Sequence, residues 1–462
     1  MSQALRGKIG RLQFLALGFG TVVGSAWVAI LGEWLVAAGP GGTVLGLLAG
    51  GLSVALIGLC YAELTTRVPE TGGEFIYALR IFGPRAAFAV AWMTLLMLVA
   101  IMIFEGIALA WFVSRLLPSM GQMSLYRIFG EAVTWQGAAI GVFGAIAVAW
   151  LNWRGGTFSA RVHSVLTLIF LVGALSLMAA FFAFGSFSNL QPAWERVADD
   201  RWWRGALWIF ALSAILLNGF QAIPQAVEER SSSVSLRTVA GTIVASILCA
   251  ALFYVLILLS AASMMPWHEL AQADLAVVAA AARLPGGGVW VDVVLIIAIV
   301  SLFKTWNGVT FMAARLTLAA ARHGLLPAPL ARLHARHGSP MVAVLVLALI
   351  NILGLSLGRG AIVPLLNAAS MGMTAILVAV TFGLLRARQQ GEPAAYQVPG
   401  GQWTIRAALV LGSAMAVVAF VDPWFAAKGS LPLEWQLLIG WLALGALVWV
   451  RMAQPRVASL PV

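Results

Sequence analysis

The stretch Phe14 to Gly42, FLALGFGTVVGSAWVAILGEWLVAAGPGG, decides how the rest of the chain is read. It is apolar and long enough to cross a bilayer, yet Gly18, Gly20 and the run Gly24-Ser25-Ala26 stand near its centre. A helix in hydrocarbon must satisfy its own backbone, because lipid offers no hydrogen bonds. Glycine and serine in mid-span therefore admit two readings. Gly20 to Gly24 has the small-xxx-small spacing that lets membrane helices approach closely, and Gly46 to Gly50 repeats it. The alternative is a break whose freed N–H and C=O groups face a cavity. A second interrupted helix would favour the break.

Working outward, 61% of the 462 residues are hydrophobic and 10% are charged, far from the roughly 25% charged of soluble domains. The composition is that of a polytopic membrane protein with an all-α fold. Spans of about 20 residues can be placed at 14–38, 43–66, 85–117, 136–152, 161–184, 203–227, 236–265, 289–321, 341–357, 362–385, 404–421 and 434–451, about twelve helices. Met1 to Arg11 is a polar, basic lead, and the apolar run behind it is too long for a signal core. No cleaved signal is expected.

The net charge of +11 does not point to nucleic acid, since the basic residues are scattered singly between apolar spans. They read as orientation signals. With a cytoplasmic amino terminus, the loops on the inside hold 19 Lys and Arg, those outside hold 8, and Lys304 falls within a span. Both termini are thus expected in the cytoplasm and the chain in the inner or plasma membrane. Cys60 and Cys249 both fall inside spans, where they read as packing, with neither a disulfide framework nor a thiolate metal site implied. No histidine spacing suits a metal either; His163 stands at the start of a span, and the loop histidines are expected to be solvated; no metal and no cofactor are expected.

The second interrupted helix is the sixth span, ALWIFALSAILLNGFQAIPQAVEE from Ala206 to Glu229. Asn218-Gly219 stands in its middle, and Pro224 beyond it removes a backbone donor and predicts a kink. Corresponding interruptions in two halves point to a transporter binding site at mid-membrane. Between the second and third spans, Arg67 to Tyr77 predicts a compact turn and a short interfacial amphipathic piece; Pro266 to Gly288 predicts an external cap with a short helix.

At this point the chain resembles the amino acid, polyamine and organocation transporter superfamily. The residues that carry the resemblance are Gly20-Thr21-Val22-Val23-Gly24-Ser25-Ala26, the Pro69-x-x-Gly72-Gly73 turn, Gly219-Phe220-Gln221-Ala222-Ile223-Pro224 with Glu228-Glu229, and Ala314-Arg315 leading to Ala321-Arg322-His323-Gly324-Leu325-Leu326-Pro327. The resemblance implies a leucine-transporter-like fold of five spans repeated in inverted orientation, with broken helices one and six and two trailing helices. On this chain that gives a tail at 1–12, repeats at 13–200 and 201–390, helices 11 and 12 at 391–453, and a tail at 454–462. It also implies carriage of amino acids or related amines, with Phe220 as a gate. Substrate would meet Val23, Gly24, Ser25, Ala26 and Trp27 in the first break and Asn218, Gly219, Phe220 and Gln221 in the second. Relatives usually have Gly where Ala26 stands; the change narrows backbone access, and Trp27 after it is suited either to stacking on a substrate ammonium or to filling volume.

Two charges lie deep in spans. Glu105 sits within Ile101 to Ile107, where an acidic side chain costs roughly 2.5–3.5 kcal/mol on insertion scales and so faces protein or water. It reads as a proton carrier or cation contact, or as a protonated acid bonded to a neighbouring helix. Lys304, one of three lysines, shares a helical stripe with Ser301, Gly308 and Arg315. Many proton-coupled members of the resembled superfamily carry a lysine on the fifth span at a sodium position, but Val165 to Leu171 has none. Lys304 is expected to supply that ammonium near the first break; a static pair with Glu105 or Glu33 is the alternative. Glu33 itself reads as a solvated vestibule residue.

The sequence thus predicts a transporter, not an enzyme: a secondary active carrier of an amino acid or small organic amine, a symporter driven by protons. An uncoupled exchanger and a channel-like facilitator are the rivals, the latter without any filter-type sequence. The expected partners are the small-molecule substrate, the proton and the lipid bilayer. With no cysteine in a predicted loop, no disulfide-linked heavy chain is expected.

Overall fold

The computed structural model describes residues 9–118, 123–195, 197, 201–391, 394–427 and 430–452; the expected tails fall largely outside that range. Glycine and proline decide where its helices stop. The first span is assembled from α1 (Arg11–Val22), α2 (Ala26–Ala29) and the start of α3 (Leu31–Arg67). Inside α3 the chain kinks at Gly39, whose φ of 62° suits glycine, and at Pro40. That kink separates the first span from the second.

There follow α4 (Glu74–Phe82), α5 (Pro84–Leu116), a hairpin of β1 (Ser124–Ile128) and β2 (Glu131–Thr134), α6 (Trp135–Trp153), α7 (Gly156–Phe184), α8 (Trp202–Leu216) and α9 (Ala222–Gln225). The second half holds α10 (Leu236–Ala262), the cap helices α11 (Trp267–Ala271) and α12 (Ala276–Ala281), α13 (Gly287–Arg322), α14 (Met341–Gly354), α15 (Ile362–Gln389), α16 (Gly401–Ala426) and α17 (Leu433–Met452). Among the described residues ten helical stretches are long and apolar enough to cross a membrane, and two shorter apolar ones, Trp202–Leu216 and Met341–Leu357, stand where the sixth and ninth spans were expected. This is an all-α integral membrane protein.

The hairpin was not foreseen. Its turn uses Phe129 at φ 49° and Gly130 at φ 80°, and a phenylalanine in the left-handed region gives no turn signal. The α4 segment also departs from expectation: Glu74, Phe75, Ile76, Tyr77, Ala78 and Ile81 are buried, so it is wedged into the bundle rather than laid on an interface.

Both readings of the small residues are realised, at different places. Gly46 and Gly50 face α8 so closely that a Cβ would fall 2.7 Å from the Ala206 carbonyl oxygen and 3.0 Å from that of Phe210; those glycines serve helix packing. Gly24 lies in a break. Two ends of the bundle can be distinguished. Ile9 N–H donates to the Glu229 carbonyl (3.0 Å) and Ser231 N–H to that of Ile9 (3.0 Å), which joins the start of α1 to the end of the sixth span. At the other end Gly205, early in α8, packs on Ala38. The two interrupted spans therefore run antiparallel.

Candidate functional site

Between α1 and α2 the residues Val23, Gly24 and Ser25 leave the helix, Val23 being extended at φ −86°, ψ 93°. Carbonyls of the preceding turn lose their partners there. One face of α13 replaces them. Lys304 Nζ donates to the carbonyls of Gly20 (2.8 Å) and Val23. Thr305 Oγ1 donates to Gly20 (3.1 Å) and Val23 (3.2 Å), and Ser301 Oγ to Gly24 (2.8 Å) and Val23 (3.2 Å). Positions 301, 304 and 305 share a face because the helical period returns after three to four residues.

The other side of the break meets α5. Ser25 Oγ donates to Glu105 Oε2 at 2.5 Å, and a Cβ on Gly24 would lie 2.6 Å from Glu105 Oε1. Only glycine leaves room for that carboxyl group. Lys304 and Glu105 are both buried, and a buried charge needs compensation. For Lys304 it comes from carbonyl dipoles and from the Phe170 ring, 4.3 Å from Nζ. Carbonyls thus face an ammonium on one side, and a serine hydroxyl faces a carboxyl group on the other.

The second break spans Leu217 to Gln221, between α8 and α9. Gly219 has φ 122° and lies so close to the first break that a Cβ there would be 2.6 Å from the Thr21 carbonyl carbon. Gly219 N–H donates to Gln221 Oε1 (2.9 Å), while Asn218 Oδ1 is buried without a partner. Phe220 is fully buried, edge-on to Tyr61 at 5.0 Å. Pro224 is not the cause of the interruption. It stands in the first turn of α9, where a missing N–H costs little, so Asn218-Gly219 makes the break.

The structure therefore brings Val23, Gly24, Ser25, Glu105 and Lys304 together, with Gly219 beside them. Trp27 is fully buried against Phe170 and Phe253 at 6.2 and 6.0 Å, and the ring beside the Lys304 ammonium is that of Phe170. Ala26 is likewise buried, and Glu33 is exposed, as the vestibule reading expects.

One residue outside the expected set joins the site and one expectation is corrected. His163 lies buried on α7, Nε2 3.2 Å from the Ala16 carbonyl, where a Cβ on Gly20 would approach that nitrogen to 2.6 Å. Its spacing to Thr167 and Phe170 puts all three on one face, a signal that was available in the sequence. Cys60 is buried, but Cys249 is exposed on α10 and packs nothing in the core. Near the site, Asn307 on α13 ties α6 and α7 together, accepting from Asn152 (2.9 Å) and Ser159 (3.0 Å), a cross-link no pattern announced.

Beneath Phe220, Glu74 is fully enclosed, with Tyr61 OH donating at 3.4 Å. Burial pushes its carboxyl up to about 7 against the lowering effect of Tyr61, Gln225 and Gln221. Nearer Ile9, Arg315 on α13 forms a buried ion pair with Glu229 and lies over the Phe311 ring.

A family model described as amino acid permease matches residues 9–448. Among curated proteins, the branched-chain amino acid permease BcaP of Bacillus subtilis (strain 168) is 23% identical over 86% of this chain and 85% of its own length. The methylthioribose transporter of the same organism is 24% identical over 97% and 94%. The human Asc-type amino acid transporter 1 is 27% identical over 74% of this chain and 64% of its own.

Proposed function

Because the chain belongs to the amino acid permease family, and is thus a membrane transporter of an amino acid or small organic amine rather than an enzyme, we propose that it is a proton-coupled secondary carrier working by alternating access. In this reading substrate binds between the two breaks, at Val23 to Trp27 and Asn218 to Gln221, and Phe220 gates the path toward Ile9. Lys304 and Glu105 carry the coupling. The observation that carries the reading is the Lys304 ammonium on the Gly20 and Val23 carbonyls. A cation seated there repels a sodium ion at the same oxygens, which favours the proton.

The antiparallel course of the two broken spans supports inverted repeats at 13–200 and 201–390 followed by two trailing helices, twelve crossings in all. The basic bias of the loops supports an inner-membrane location with both termini cytoplasmic. Both cysteines lie in helices, which argues against a disulfide-linked heavy chain. Cargo is set by the side chains at the breaks: one relative spanning nearly the whole chain is a methylthioribose transporter, and methylthioribose is no amino acid.

The test is uptake into proteoliposomes under an imposed pH gradient, after a thermal-unfolding panel of amino acids beside their decarboxylated amines has identified a ligand. Lys304→Met should lose gradient-driven uptake at least tenfold. PH-dependent uptake at the wild-type rate by that variant would sink the coupling role.

A further inference from the structure

At the end of the bundle away from Ile9, a cavity of about 470 Å³ opens between the tip of α5, the hairpin, the start of α6 and the connection from α14 to α15. Arg115, Arg359, Trp111, Gln136 and Glu131 line it, and it descends to Gly106. At 1.5 Å per residue that is a depth of about 13 Å along α5, down to the neighbour of Glu105.

One carboxylate holds both guanidinium groups. Arg115 donates to Asp274 Oδ2 and Arg359 to Oδ1, Trp111 Nε1 donates to Oδ2 at 3.3 Å, and Arg359 lies 3.9 Å over the Trp111 ring. Burial works to raise the Asp274 carboxyl, but Arg359 and Arg115 outweigh it and hold it below the usual range, so Asp274 is an anion. Within the Asp274 cluster two guanidiniums face one carboxylate, which leaves one positive charge in excess there, and Glu131 is the other carboxylate of the cavity lining. Gln136 Oε1 meanwhile is buried in this cavity wall without a partner. Asp274 belongs to the cap between α11 and α12, which packs on the first span: a Cβ on Gly32 would be 3.2 Å from the Ala271 carbonyl.

We propose that this cavity is a capture site for small zwitterions, in which the ligand carboxylate takes the Arg115–Arg359 pair in competition with Asp274 and the ligand ammonium is accepted by Gln136 Oε1. Guanidinium groups suit the task because their paired N–H donors match a carboxylate. Occupancy detaches Asp274 and with it the cap that lies on the first span. The inference rests on the reading of the chain as a carrier of amino acids, and it adds a site distinct from the paired breaks.

The probes are propionate, which has the carboxylate alone, and alanine, with thermal unfolding of the detergent-purified full chain as readout. Both should stabilise the wild type and Lys304→Met, whose central break is altered. Asp274→Asn should lower the half-saturating concentration about tenfold by removing the competitor. Arg359→Gln should raise it at least tenfold, with Arg115→Gln as the second variant should that one fold poorly. Equal responses of the wild type and both arginine variants, or no tightening in Asp274→Asn, overturn the site. Uptake assays keep the two readings apart. A protein with this carboxylate pattern that carries no amino acid keeps the site and loses the cargo reading; intact uptake without the pattern does the reverse.

Discussion

The two ends of the bundle are closed by the same chemistry in different surroundings. At the end beside Ile9, Glu229 and Arg315 pair with their side chains 6% and 7% exposed. At the other end Asp274, 31% exposed, holds Arg115 and Arg359 at 53% and 37%. Exposed pairs are worth roughly 0–1 kcal/mol, because water replaces each partner and salt screens the attraction. A buried pair cannot part until water reaches it, and removing one member leaves an uncompensated charge costing about 3–5 kcal/mol. The cap end is thus the readily opened one, and the end that holds Ile9 opens only by hydrating its charges.

The largest expected effect follows from that contrast. Glu229→Gln removes the anion paired with Arg315, which stays buried against Phe311 and Gly156, and should cost about 3–5 kcal/mol in thermal unfolding. Replacing both members by packed apolar residues should recover most of the loss. A cost below about 1 kcal/mol would show that water already reaches the pair, and the contrast between the ends would fail.

Glu74 offers an intermediate effect at the same end. Its folded pKa of about 7 lies above the ordinary 4.5, so its neutral form is favoured by the fold. The contribution is fully present below about pH 4.5 and is lost as pH rises through 7, on the order of 3 kcal/mol over that window. The facing groups are Tyr61 from α3, Tyr77 on its own helix, Gln221 from the second break, Gln225 of α9, and His323 just past α13, against Phe75. Glu74→Gln should flatten the stability of the detergent-purified protein between pH 5 and 8. A variant that still loses stability across that range would move the titration to another group.

Much of the site was legible because membrane burial makes every polar atom conspicuous. Gly24-Ser25, Asn218-Gly219, Glu105 and Lys304 each break an apolar pattern and stand out from the sequence alone, without their partners. Partner choice was harder. Nothing in the sequence tells that the ring against Lys304 belongs to Phe170, since periodicity gives the face of a helix and not what that face meets. His163 shares helical spacing with Thr167 and Phe170, but that spacing does not tell that their face meets the first span. The hairpin stayed hidden behind a phenylalanine with positive φ, and Pro224 suggested a kink that its first-turn position removes. Of the two small-residue readings, spacing alone could not separate packing at Gly46 and Gly50 from a break at Gly24.

The smallest expected effect is the sharpest test of the contrast. Asp274→Asn keeps the size of the side chain and removes only its charge, while both arginines stay half in water. Its loss in thermal unfolding should be under about 1 kcal/mol, and it should vanish as salt rises from about 0.05 to 1 M, where the screening length falls to about 3 Å. The Glu229→Gln deficit should persist through the same titration, because ions do not enter a closed interior. If the two deficits faded together, the pairs would share one dielectric environment, and the ease with which either end opens would have to come from helix packing instead of from charge.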